Sequence, residues 1–196
     1  MKQQVIIIHG GDSFNTHEEY LNSLKNWEVS VESFKSRHDW KTNIEEVLGA
    51  GFDVLQPRMP NKSNARFEEW KIWFERMLPY MYDNVILIGH SLGAMFLAKY
   101  LAKNDFPKRI KQLHLVAPPH NKTADIGDFL IPESLKGVSN QSDKIYLYHS
   151  QDDPVVPFSE LGVYEKALPG AEILVFDDRG HFNQPEFPEL IKNVVY

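Results

Sequence analysis

The residues best suited to chemistry lie in one short stretch, Gly89-His90-Ser91-Leu92-Gly93. It follows the apolar run Val85-Ile86-Leu87-Ile88 and precedes an apolar helical pattern, so the serine falls at a strand–turn–helix junction. A turn that tight strains the serine backbone and pushes its hydroxyl out above the sheet. Glycine at 89 and 93 removes side chains that would collide with the neighbouring strand and helix. The N–H of Leu92, at the helix N-terminus, can then face the oxygen of a carbonyl under attack, where negative charge develops. The chemistry set up in this way is nucleophilic attack by Ser91 on an acyl group.

A serine hydroxyl needs a base. A serine at such a junction takes its partners in the chain order serine, acid, histidine, and of 8 histidines only His181 follows Asp153. It lies after Gly180, just beyond the last apolar run. His9 and His90 sit inside motifs but precede or adjoin the serine. His17, His38, His114, His120 and His149 read as structural or surface residues, His114 within a strand. No pair has H-x-x-x-H spacing, so no histidine metal site is expected. The acid that orients the imidazole is read as Asp153, because Pro154 fixes the turn behind it and Val156 can anchor that loop in the core. Adjacent Asp152 is then a turn residue or a supporting one. Asp177 and Asp178 are too close in sequence to His181 to reach round its ring. For the oxyanion, His9-Gly10-Gly11 follows the first apolar run and can present a second backbone N–H, from Gly11 or, next in order, Asp12.

The elements that must bring these groups together are legible as alternating patterns. Val5-Ile6-Ile7-Ile8, Phe52-Asp53-Val54-Leu55, Val85-Ile86-Leu87-Ile88, Leu113-His114-Leu115-Val116, Ile145-Tyr146-Leu147-Tyr148 and Ile173-Leu174-Val175-Phe176 are strands covered on both faces. Helices are expected between them. One follows the capping-box spacing of Thr16 and Glu19. Others run from Asp39 to Leu48, stopped by Gly49 and Gly51, and over Phe67, Trp70, Trp73, Phe74, Met77 and Leu78, an aromatic stripe read as core. Leu92–Lys103 reads as a buried helix, with further helices around Val163–Leu168 and over residues 186–195. This order predicts a three-layer α/β/α sandwich on a mostly parallel sheet of about six strands, one domain over residues 1–196. Ligands bind such sheets at the carboxyl ends of the strands, and the clusters carrying Gly11, Ser91, Asp153 and His181 all follow strands on that edge. Residues 26–38 alternate weakly, at Val29 and Val31, and are assigned to neither helix nor strand, and residues 118–143 read as a crossover segment or a small lid.

Composition narrows the function further. The chain has 27 Asp+Glu against 21 Lys+Arg, a net charge of −6, which argues against nucleic acid as a partner. No apolar run approaches the roughly 18–20 residues of a membrane span. The short apolar run after Met1 predicts no secretory signal. Cysteine is absent, which excludes disulfides, thiolate metal sites and a cysteine nucleophile and is compatible with a cytoplasmic location.

Taken together, His9-Gly10-Gly11, Gly89-His90-Ser91-Leu92-Gly93, Asp152-Asp153-Pro154-Val155-Val156-Pro157 and Gly180-His181-Phe182 resemble the α/β-hydrolase superfamily. Within it, the chain resembles the compact serine-hydrolase family typified by a retinoblastoma-binding protein. That resemblance implies a minimal α/β-hydrolase fold without the first antiparallel strands, little or no cap, and esterase-type activity. One departure is a longer stretch over residues 15–38, which would alter the rim of the site. The expected function is serine hydrolase chemistry on a small-molecule acyl substrate, through Ser91, His181 and Asp153 and without cofactor or metal. An open site would suit short-chain esters. A thioesterase or a small amidase or peptidase would use the same triad, and a non-catalytic protein-binding module would keep only the fold.

Overall fold

The computed structural model describes residues 2–36 and 38–196. Six strands, β1 (Gln3–Ile8), β2 (Phe52–Leu55), β3 (Val85–His90), β4 (Ile110–Val116), β5 (Ile145–Ser150) and β6 (Glu172–Phe176), form one sheet in the order β2-β1-β3-β4-β5-β6. Every neighbouring pair is parallel. Among the described residues, seven α-helices accompany them: α1 (His17–Asn26), α2 (Ile44–Leu48), α3 (Phe67–Glu75), α4 (Leu92–Lys103), α5 (Lys136–Gln141), α6 (Leu161–Ala167) and α7 (Pro188–Val195).

Strand alternation makes two cores. Ile6, Ile8, Val85, Leu87, Leu113 and Leu147 point to one face, where α3 to α6 pack through Trp70, Phe74, Phe96, Val138 and Tyr164. Val5, Ile7, Ile86, Ile88, Tyr146 and Tyr148 point to the other, against Ile44 and Leu48 of α2 and Leu190 and Val194 of α7. This is the expected three-layer sandwich, the minimal α/β-hydrolase fold. Because both faces are covered, the strands read as unbroken apolar runs. Among the described residues, no helix is long and apolar enough to cross a membrane.

Chain direction explains where the crevice lies. From β1 the chain moves to one side to form β2, then returns to β1's other side to form β3. Connections therefore diverge above the carboxyl ends of β1 and β3. The register pairs Ile8 with Gly89, which brings His9-Gly10 alongside His90-Ser91.

Three expectations need correction. First, α1 is capped by Thr16, whose Oγ1 accepts from the Glu19 N–H at 3.1 Å, but it buries no residue and does not cover the sheet. Second, no helix starts at Asp39: this residue closes a turn, accepting from the Lys41 and Thr42 N–H groups, and α2 begins at Ile44. The reason is Trp40, whose N–H donates to Gln184 O at 2.8 Å while its ring enters the core. Third, Trp73 is 44% exposed because it lies at the edge of the stripe buried by Phe67, Trp70 and Phe74. The described part of residues 26–38, which the sequence does not assign, holds the end of α1 and a 3₁₀ turn over Val31–Phe34.

Residues 118–143 carry a 3₁₀ turn (Gly127–Phe129) and α5. Several bonds anchor this segment. The Ser13 N–H donates to Asp125 O at 2.7 Å, the Phe67 N–H donates to Asp128 Oδ1 at 3.0 Å, and Phe129 packs edge-on against Phe67 and Trp70.

Candidate active site

Ser91 stands between β3 and α4 with φ 55° and ψ −126°. Left-handed backbone at a non-glycine residue costs on the order of 1–3 kcal/mol and persists only where its surroundings impose it. Here they do. The Ser91 N–H donates to Val116 O at 2.8 Å, and its carbonyl accepts from Ala94 and Met95. The flanking glycines are sterically required. A Cβ on Gly89 would lie 2.5 Å from Ala94 Cα, and one on Gly93 would lie 2.3 Å from Ile8 O. The turn can close against β1 and α4 only with hydrogen at both positions.

Gly10 borders the serine most closely from the β1 side. A Cβ there would sit 3.0 Å from Ser91 Cβ and 3.5 Å from Ser91 Oγ. Its neighbour Gly11 runs against Lys62, whose carbonyl accepts the Asp12 N–H at 2.8 Å. That bond removes Asp12 as an oxyanion donor. The N–H groups of Gly11 and Leu92 donate to no backbone carbonyl among the described residues, and for Leu92 this follows from its place in the first turn of a helix. His9 fixes the start of the loop. Its Nδ1–H donates to Gly10 O at 2.6 Å and its Nε2 accepts from the Met59 N–H at 2.9 Å. Burial holds this ring below the ordinary histidine range.

His181 follows β6 on a tight loop, flanked by Gly180 at φ 48° and Phe182 at φ 53°. Its Nδ1–H donates to Asp153 at 2.9 Å (Oδ2) and 3.1 Å (Oδ1). The Asp153 side chain is fully shielded from solvent and that of His181 is 10% exposed. Asp153 also accepts the N–H groups of Val155 and Val156 at 2.8 and 2.9 Å. Burial alone would raise this carboxyl, but the His181 contact and the two N–H groups more than offset it, and it titrates below the usual range. Val156 is buried, and His149 holds it by donating from Nε2 to Val156 O at 3.1 Å. Asp152 faces the other way. Its Oδ1 accepts from Ser150 Oγ at 2.5 Å and from the Gly180 N–H at 2.8 Å, tying the β5 loop to the histidine loop.

His181 reaches the serine's neighbourhood through His90. The two rings lie 5.0 Å apart, and His90 Nε2–H donates to His181 O at 2.9 Å. Among the described residues no hydrogen bond joins Ser91 Oγ to His181, and the His181 Nε2 has no hydrogen-bond partner. Thus Asp153 and His181 meet directly, while Ser91, Gly11 and Leu92 share the rim at the ends of β1 and β3.

Sequence reasoning missed three contributors. Gly10 is the glycine that makes room for Ser91. Trp40 donates from Nε1 to Phe182 O at 3.0 Å, and Lys41 comes within 3.4 Å of His90 Nδ1. Nothing local marks Trp40 or Lys41, since the sequence pattern places both in the first turn of a helix expected from Asp39 to Leu48.

A serine hydrolase family model matches residues 31–187. The serine hydrolase RBBP9 of Rattus norvegicus is 30% identical over 169 residues, covering 80% of this chain and 85% of the rat protein. Among solved structures, the ydeN gene product of B. subtilis aligns with a TM-score of 0.78 at 18% identity, over 99% of this chain and 97% of that one. A YdeN-like hydrolase from Pectobacterium atrosepticum aligns at 0.68 and 20% identity, over 98% and 89%. At those identities the two structures are evidence of fold.

Proposed function

The chain belongs to the serine hydrolase family, and from that premise we propose that it hydrolyses small carboxylic esters through an acyl-enzyme. Ser91 Oγ attacks the ester carbonyl while His181 Nε2 takes its proton. Asp153 holds the imidazole by Nδ1 and stabilises its charged form. The N–H groups of Gly11 and Leu92 receive the oxyanion. The tetrahedral intermediate collapses, the C–O bond to the alcohol breaks, and His181 returns the proton to the departing oxygen. Water then repeats the sequence on the acyl-serine, releasing the acid. Catalytic hydrogen bonds often close only once substrate is bound, so the Ser91–His181 bond is assigned to the Michaelis complex.

The observation that carries this reading is the shielded Asp153 carboxylate on His181 Nδ1, with His181 against His90, the residue before a strained serine flanked by obligatory glycines. The partner implied is a small acyl substrate, and the surrounding compartment is taken as cytoplasmic. A fluorophosphonate probe tests the reading, with labelling expected in wild type and absent in Ser91→Ala. Turnover of p-nitrophenyl acetate should fall about 10⁴-fold or more in kcat for Ser91→Ala and His181→Ala. A folded wild-type protein that neither labels nor turns over esters, thioesters or amides would refute it. A panel varying the leaving group among those three would assign the bond cleaved.

A further inference from the structure

We propose that Lys41 and His90 are positioning residues, the end of a partly buried chain from Asp39 that grips the carbonyl of His181 and fixes where its ring stands. The proposal rests on His181 being the base. Lys41 Nζ lies 2.6 Å from Asp39 Oδ2 and 3.4 Å from His90 Nδ1, and His90 Nε2 lies 2.9 Å from His181 O. The atoms permit one proton arrangement. A carbonyl can only accept, so His90 Nε2 carries hydrogen. An ammonium can only donate, so His90 Nδ1 must be bare. His90 is thereby locked as one neutral tautomer.

Its surroundings agree. His90 is buried, with Lys41, His181 and His9 as its charged or titratable neighbours and the Trp40 ring edge-on at 6.3 Å. Burial first, then the charges of Lys41 and His181, hold it well below the ordinary histidine range. A second imidazolium beside the base is so avoided.

Two features show why the loop needs a grip. His181 sits between residues with left-handed backbone, one of them the non-glycine Phe182, a conformation that relaxes unless held. The bonds fall on successive carbonyls: His90 binds that of His181, and Trp40 Nε1 binds that of Phe182. The Trp40 N–H adds Gln184 O. In addition, the Lys41 and Asp39 side chains are only 12% and 20% exposed, and burying such a pair is a poor way to gain stability. Its geometry serves the imidazole beyond it.

The test compares His90→Leu, His90→Gln and Lys41→Met with wild type. Glutamine can place an amide donor near the position of His90 Nε2. His90→Leu is expected to lower kcat about 10²-fold with KM within about two-fold, since a displacement near 1 Å has that effect. His90→Gln should recover most of the loss. Lys41→Met should lower kcat less, and ¹⁵N spectra should show His90 changing from a single Nε2–H tautomer to a mixture. Independently of turnover, the downfield proton of His181 Nδ1 bound to Asp153 should broaden in His90→Leu and return in His90→Gln. Wild-type kcat and an unchanged proton signal in His90→Leu would overturn the proposal. So would a Lys41→Met variant, folded by circular dichroism, that keeps both the rate and the tautomer. If wild type hydrolyses nothing, the acyl-transfer reading fails by itself, and the proton and tautomer signals decide the positioning role.

Discussion

Two neighbouring aspartates show how strongly position decides role. Asp153 points at His181 Nδ1, and Asp152 points back to Ser150 and Gly180. Asp153→Asn should lower ester kcat by about 10³- to 10⁴-fold, since an amide cannot stabilise the imidazolium. Asp152→Asn keeps an acceptor oxygen for Gly180 and should lose only a few-fold. Turnover of p-nitrophenyl acetate measures both, and the reverse ranking would exchange the roles. The same contacts tie Asp153 to stability. Its folded carboxyl titrates below the ordinary value, so the stabilisation is fully present above the unfolded value of about 3.9 and is lost as pH falls through the folded one. Urea unfolding of Asp153→Asn should therefore show a flatter pH dependence below about pH 4 than wild type.

At the scale of elements, the β1–β3–α4 junction depends on two absent side chains. Gly93→Ala would drive a methyl group to 2.3 Å from Ile8 O and 2.5 Å from His9 O, against backbone with little freedom to retreat. A destabilisation at or above the upper end of the usual 1–3 kcal/mol for overpacking is expected, roughly 3 kcal/mol. Gly51→Ala, where nothing lies within 4 Å, is the control and should be near neutral by thermal melt. This junction was legible in the sequence because Ser91, its glycines and the flanking apolar runs are contiguous, so local rules suffice. Asp153 and His181 were legible because each follows a strand at the same edge. The grip of Trp40 on the histidine loop was not. It joins chain positions about 140 residues apart, through the indole and backbone N–H groups of Trp40, and no periodicity encodes such a contact. The capping pattern at Thr16 was correct about where α1 begins and silent about whether it packs, because a cap reports backbone chemistry and burial depends on what lies opposite. Residues 118–143 illustrate the same limit. Their attachment at Ser13 depends on Gly127, which has φ 45° and where a Cβ would sit 2.1 Å from Ser13 Oγ. Gly127→Ala should loosen the segment from the loop after β1, seen as faster amide exchange over residues 120–130.

For the molecule as a whole, the weak point towards acid is the set of histidines folded into its layers as neutral rings. His114, on β4, is fully buried. It accepts from Tyr148 Oη at Nδ1 (2.9 Å), donates to Gln112 Oε1 from Nε2 (3.1 Å) and stacks on Tyr146 at 4.6 Å. The cluster extends to α7, where Asn193 donates to Tyr148 Oη at 3.0 Å and accepts from Gln112 Nε2 at 3.0 Å. One imidazole therefore sits where β4, β5 and the final helix meet. Burial lowers its pKa to about 3. The unfolded chain binds this proton near the ordinary value of about 6.5, whereas the folded chain refuses it until pH is far lower. Between those values the unfolded state holds more protons, so stability rises with pH and falls as the solution is acidified. Buried His90 acts in the same direction. Wild type should then lose urea resistance progressively from about pH 6.5 downward, well before the window in which Asp153 acts. His114→Gln removes the titrating group. It should be less stable than wild type at pH 7, where stacking and hydrogen bonds are lost, yet its urea midpoint should decline less between pH 6.5 and 4. Parallel curves for the two proteins across that interval would show that His114 is not the group that sets the acid limit.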